Sequence, residues 1–124
     1  MKKVRPVNLD MSTIHLPVTG WVSILHRISG VVLLGGVLVL LWLLDASLRS
    51  QDSFAHLQAM LSGLGVKLVV WAVLSALAYH LVAGIRHLIM DMGVGETLEG
   101  GRRGAKLVLV VALGVIAALG VWLW

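Results

Sequence analysis

The chain has 124 residues, a mean hydropathy of +0.97, 59% hydrophobic residues and only 13% charged residues, against about 25% charged in an ordinary soluble domain. A soluble fold this short has too little interior to hide that much apolar surface, so the composition excludes a soluble enzyme, a disordered chain and a nucleic-acid binder, and it indicates an all-α integral membrane protein. Ten Lys and Arg against six Asp and Glu raise the pI to 10.1, but these bases punctuate apolar runs and read as topology signals rather than phosphate contacts; with no Cys, disulfides, iron–sulfur ligation, thiol catalysis and covalent haem attachment are also excluded.

The N-terminal segment carries Lys2, Lys3 and Arg5 and stays polar to mixed as far as Thr19. The apolar run that follows exceeds the length of a signal-peptide core, so it reads as a membrane span and not as a cleaved leader. It holds no Lys, Arg, Asp or Glu between Arg27 and Asp45. A first loop region follows, in which Phe54, Leu57, Leu61 and Leu64 fall at helical spacing. This predicts a short helix at about 53–61 lying on the membrane surface, N-capped by Asp52 or Ser53, with His56 solvated. The second charge-free run lies between Lys67 and Arg86, and the third follows Lys106. Gly93, Gly95, Gly100 and Gly101 mark a flexible loop between them. Each charge-free run is about 17–18 residues long, close to the roughly 20 needed to cross a hydrocarbon core about 30 Å thick. The prediction is a single transmembrane domain over 1–124 with three helices at about 22–48, 64–90 and 105–124.

Lys2, Lys3, Arg5 and Arg27 on the N-terminal side, and Arg86, Arg102, Arg103 and Lys106 around the second loop, outnumber Arg49 and Lys67 around the first. This predicts a cytoplasmic N-terminus, with the first loop and C-terminus outside and a bacterial inner membrane as the location. Trp122 and Trp124, together with Trp42 and Trp71, suit interfacial anchoring, and Gly114 and Ala118 form a small-xxx-small pair suited to helix packing.

Ionisable groups in lipid are costly, so the informative residues are few. His80 lies six residues before Arg86, about 9 Å inward at a rise of about 1.5 Å per residue. Its face reads Ala72, Ala76, His80, Gly84 and His87. Small neighbours leave a recess beside the imidazole, which suits either a porphyrin with imidazole as axial ligand or the close approach of another helix. Spacing leaves both open. If His80 ligates haem, the opposite ligand has to come from another polypeptide, because no second His lies deep in another span and the Met residues sit near edges. Ser23, Arg27 and Gly30 share a face of the first helix. A hydroxyl beside a guanidinium can hold a quinone carbonyl or a propionate; alternatively Arg27 snorkels to lipid phosphate and Ser23 caps the helix start. Arg86 and His87 fit the positive-inside pattern, with Asp91 as a pairing partner.

Two ordered stretches carry a resemblance. Arg5-Pro6-Val7-Asn8-Leu9-Asp10 followed by Ser23-Ile24-Leu25-His26-Arg27-Ile28-Ser29-Gly30 resembles the first signature of the cytochrome b membrane-anchor subunits of succinate dehydrogenase. His80 and Gly84-Ile85-Arg86-His87-Leu88-Ile89-Met90-Asp91 are similar to that family's second signature. The resemblance implies a subunit of a succinate:quinone oxidoreductase, in a haem-binding helical bundle with a second small membrane anchor. The other partners it implies are a flavoprotein and an iron–sulfur subunit. It implies His80 as an axial ligand of haem b, shared with a His of the second anchor. It implies Ser23 and Arg27 at the site of ubiquinone or a related quinone, and His26 and Arg27 near the haem propionates. Thr19-Gly20-Trp21-Val22 departs from the family pattern, and Trp21 is expected to narrow or re-floor the quinone pocket. Three other readings compete: the anchor of a fumarate reductase, a cofactor-free small transporter or assembly subunit, and a purely structural anchor without quinone contact. No Asp or Glu lies inside an apolar run, which counts against proton-coupled transport.

Overall fold

The computed structural model describes residues 6, 7, 9, 10 and 12–124. Lys2, Lys3, Arg5 and Asn8 of the orientation pattern and N-terminal motif, together with Met11, lie outside the described residues. The described chain is all-helical: α1 Val18–Arg49, α2 Gln51–Leu61, α3 Leu64–Asp91 and α4 Leu98–Leu123. Three of these, α1, α3 and α4, are long and apolar enough to cross a membrane.

Local chemistry sets the ends. α1 begins four residues earlier than the expected 22, directly after Pro17 in an extended conformation; proline's fixed φ and missing N–H suit a helix start, where that N–H would have no partner. Ser23 is therefore inside the helix and does not cap it. The cap of α2 is Ser50, whose hydroxyl accepts from Ser53 N at 3.0 Å, not Asp52 or Ser53. Asp52 instead occupies the first turn, where it complements the helix dipole, and Ser53 Oγ donates to Ala46 O at 2.6 Å, tying α2 to α1. Leu57 is buried beneath α2, while His56 is exposed as expected.

The largest departure is at α4, which starts at Leu98 and not near 105. Thr97 Oγ1 accepts from Gly100 N at 3.0 Å, and Glu99 pairs with Arg103 one turn on, so the cap and the i,i+4 pair carry the helix through Gly100 and Gly101. The turn glycines are Gly93 and Gly95, with φ of +86° and +73°, a left-handed conformation that side chains rarely adopt.

α3 runs antiparallel to both neighbours. Its late residues meet the early ones of α1 and α4: Tyr79 Oη donates to Val22 O at 2.7 Å and Arg86 Nη2 to Gly101 O at 3.0 Å. Its early residues meet the late ones: Val73 faces Gly36, and Trp71 Nε1 donates to Ile116 O at 2.9 Å. The start of α1, the end of α3 and the start of α4 thus form one end of the bundle. Arg27, Arg86, Arg102, Arg103 and Lys106 belong to it, and we refer to it as the basic end. Lipid provides no hydrophobic drive for helix association, so close approach and interhelical hydrogen bonds carry it. The core accordingly is small: Val22, Ala83, Ala105 and Val108, with Ala112, Val70, Val73 and Leu33 also buried. Gly114 and Ala118 are exposed, so the expected small-residue contact lies instead at Gly101, Ala105 and Ala112. Trp71, expected as an interfacial anchor, is half-buried as a clamp on α4, and Trp124 packs edge-on against it at 6.0 Å.

The tightest α1–α3 approach is at Gly36, where an added Cβ would lie 2.9 Å from Val73 Cγ1. Gly36→Leu should destabilise the protein by about 1–3 kcal/mol through overpacking, and Val73→Ala in the same chain should restore part of the loss. Thermal unfolding of the detergent-solubilised single and double variants measures both effects.

Candidate haem and quinone face

The face between α1 and α3 near the basic end collects Ser23, His26, Arg27 and Ser29 of α1 with His80, Arg86 and His87 of α3. His80, one turn above the core residue Ala83, reaches across to α1. Its Nδ1 lies 3.0 Å from Ser29 Oγ and 3.1 Å from the carbonyl oxygen of His26. Ser29 Oγ in turn donates to that same carbonyl at 2.7 Å. The three atoms form a closed triangle, and the number of hydrogens decides its polarity. A serine hydroxyl has one hydrogen, which goes to the carbonyl. Toward His80 the Oγ therefore offers a lone pair, and the carbonyl offers only lone pairs. Nδ1 must carry a hydrogen, which it shares between two acceptors. The neutral ring then has its bare lone pair on Nε2.

Two more contacts hold the ring. Gly30 faces its edge: an added Cβ would lie 3.1 Å from His80 Cε1. The His26 ring stacks on its face, with centroids 4.2 Å apart and planes 10° from parallel. Gly84 supports that stack, since an added Cβ would lie 3.3 Å from His26 Nε2. The recess expected beside His80 at Gly84 is thus occupied by His26, and the glycine that His80 itself requires is Gly30 on α1. His87 extends the row at 6.4 Å from His26. Below the row, Val22, Ser23, His26 and Arg27 of α1 and Ala83, Arg86 and His87 of α3 line a cleft of about 130 Å³. His26, His80, Gly84 and His87 also line a second, mostly apolar groove with Leu81, Ile85 and Leu88.

All the site residues anticipated from the sequence therefore gather on one face: Ser23 and Arg27 exposed at the cleft, and His26 and His80 half-buried above it. Trp21 is exposed and lies outside the residues that line this cleft. The ion pairs among the described residues are Asp45–Arg49 and Glu99–Arg103, so Asp91 does not pair with Arg86 or His87. Arg86 turns toward α4 instead, bonding Gly101 O, with its Nε buried and unpartnered among the described residues. The residue that sequence reasoning passed over is Ser29. It follows His26 by three positions and precedes Gly30, so a buried hydroxyl next to a close-approach glycine was its only signal.

The donor set suits one kind of metal chemistry. Among the described residues no three His, Asp or Glu side chains converge on a point; the imidazoles are stacked in a row. A single imidazole with Nδ1–H engaged and Nε2 bare is the form that ligates iron, since a ligating His nearly always donates its other N–H to a carbonyl or similar acceptor. Haem needs from the protein only such axial donors.

The chain matches the family model described as succinate dehydrogenase/fumarate reductase transmembrane subunit over residues 1–120. It is 46% identical over 125 residues to the succinate dehydrogenase cytochrome b556 subunit of Coxiella burnetii (strain RSA 493 / Nine Mile phase I), covering 100% of both chains. The cytochrome b556 subunit of Paracoccus denitrificans is 33% identical over 93% of this chain and 88% of its own length. The mitochondrial cytochrome b560 subunit of Bos taurus is 35% identical over 86% of this chain and 66% of its own. With a match that runs almost from end to end, on three apolar helices whose polar residues converge where both signatures meet, the chain belongs to the family of succinate dehydrogenase/fumarate reductase transmembrane subunits.

Proposed function

We propose that this chain is the cytochrome b anchor subunit of a succinate:quinone oxidoreductase, holding haem b through His80 and forming one wall of a quinone-reduction site with Ser23 and Arg27. The observation that carries this reading is the His80 triangle, which leaves Nε2 as the free donor in a ring held on its edge, its face and its other nitrogen. Haem b, when bound, supplies a one-electron store beside the quinone site. His26 and Arg27 would neutralise its propionates. A second iron ligand would come from a His of a second small membrane anchor, since His26, the nearest imidazole of this chain, is stacked parallel on His80.

The cleft at Ser23 and Arg27 measures about 130 Å³, below the roughly 300–1,000 Å³ of a complete small-molecule pocket. This chain thus contributes part of a site that its partners complete: the second anchor and the iron–sulfur subunit, itself fed by the flavoprotein. Ser23 donates its hydroxyl hydrogen to a carbonyl oxygen of ubiquinone or a related quinone. Arg27, always protonated, opposes the negative charge that grows on that oxygen as electrons arrive. Neither group is an acid at neutral pH, so the protons come through water or a partner residue at the basic end. The bases at that end favour a cytoplasmic face, in a bacterial inner membrane. The direction of turnover, succinate oxidation or fumarate reduction, is set by the partner subunits and the quinone potential; relatives named as succinate dehydrogenase subunits favour the former. The reading as a cofactor-free transporter finds no support in this family membership.

His80→Leu should abolish the haem b band in a reduced-minus-oxidised spectrum of the purified complex; an unchanged band in an assembled complex would remove His80 as ligand. Ser23→Ala and Arg27→Leu each remove a hydrogen bond to a charged or charging group, worth about 1.5–3 kcal/mol. Succinate-driven quinone reduction in membranes should fall about tenfold or more in each, with the complex still assembled. Normal rates in both variants would mean that the quinone binds elsewhere.

A further inference from the structure

Ser29 is the one buried polar side chain among the described residues, 6% exposed in the middle of an apolar helix. A serine in such a helix satisfies itself by bonding a carbonyl of its own preceding turn, and Ser29 does so at His26 O. That bond needs nothing from α3. Yet the hydroxyl also sits 3.0 Å from His80 Nδ1, while the carbonyl it bonds is itself 3.1 Å from that nitrogen.

We propose that Ser29 is a positioning residue for the haem iron ligand, setting the orientation of His80 and the electron-donor strength of its Nε2; the inference rests on the reading of His80 as an axial ligand. The carbonyl of His26 by itself would hold Nδ1–H at one point only. Oγ adds a second acceptor from a different direction. Because its own hydrogen is committed to the carbonyl, Oγ is polarised and accepts more strongly than an unbonded hydroxyl. A hydrogen bond from Nδ1–H makes the imidazole a better base at Nε2, and a more basic ligand favours the more highly charged ferric iron. Gly30 is part of the same device, since an added Cβ would lie 3.1 Å from His80 Cε1 and would press the ring away by a few tenths of an ångström. The hydroxyl on one helix therefore acts on iron through a side chain of another.

The test uses the whole complex, purified with its co-assembled subunits, and reads the haem midpoint potential by optical titration. Ser29→Ala removes one of two acceptors, so the preference for ferric over ferrous iron should weaken about three- to tenfold, an upward shift of at most about 59 mV for a one-electron couple. Ser29→Thr keeps the hydroxyl and should return the potential to within about twofold of wild type in the same ratio. A Ser29→Ala complex with a full complement of haem and the wild-type potential would overturn the proposal, leaving Ser29 as a local satisfier of its own helix. Should Ser29→Ala fail to assemble, Ser29→Cys, a much weaker acceptor, takes its place: an upward shift supports the proposal and an unmoved potential overturns it. A wild-type complex without any haem band would instead defeat the reading of His80 as a ligand, and the proposal with it.

Discussion

A polar hydrogen inside a membrane needs an acceptor within the protein, and at His80 that need couples two helices. Nδ1–H finds its acceptors on α1, at the backbone of His26 and the hydroxyl of Ser29. The consequence runs outward from that nitrogen. α1 must come close, which is why Gly30 faces the ring and Gly36 faces Val73 two turns further along. In the neutral imidazole that leaves the bare lone pair on Nε2. The same contact that satisfies a donor between the helices therefore also fixes the tautomer and orientation of the ring.

Two further interhelical hydrogen bonds end on backbone carbonyls near the basic end, Tyr79 on Val22 and Arg86 on Gly101. A helix interior normally leaves no carbonyl lone pair unshielded, so such bonds form where small residues expose the backbone. Gly101 and Gly104 do this for Arg86. The result is that α3 is bonded to both neighbours beside the cleft that Ser23, His26, Arg27 and His87 line.

The outer faces tell a complementary story. Leu34, Leu38, Leu41, Val110, Leu113 and Val121 are more than half exposed, as suits surfaces that meet lipid tails or the helices of another anchor. Three helices bury little against one another, and the described core holds mainly Val and Ala. Within the bundle, stability rests on close backbone approach and directed hydrogen bonds more than on apolar volume.

Much of this was legible in the residues. Charge-free runs bounded by Arg27, Asp45, Lys67, Arg86 and Lys106 marked the spans because charge and lipid exclude each other. His80 stood out for the same reason, and the two ordered signatures pointed to the family. Helix ends were less legible: the start of α4 depends on Thr97 and the Glu99–Arg103 pair outweighing three glycines, a balance of small terms. The role of Ser29, the stack of His26 on His80 and the turn of Arg86 toward α4 could not be read from the chain. Each depends on the register between antiparallel helices, and residues 51 positions apart, such as Ser29 and His80, leave no periodic trace of their pairing. Hydropathy is a property of each residue alone and survives in a string of letters; a hydrogen bond between helices is a property of two backbones set side by side.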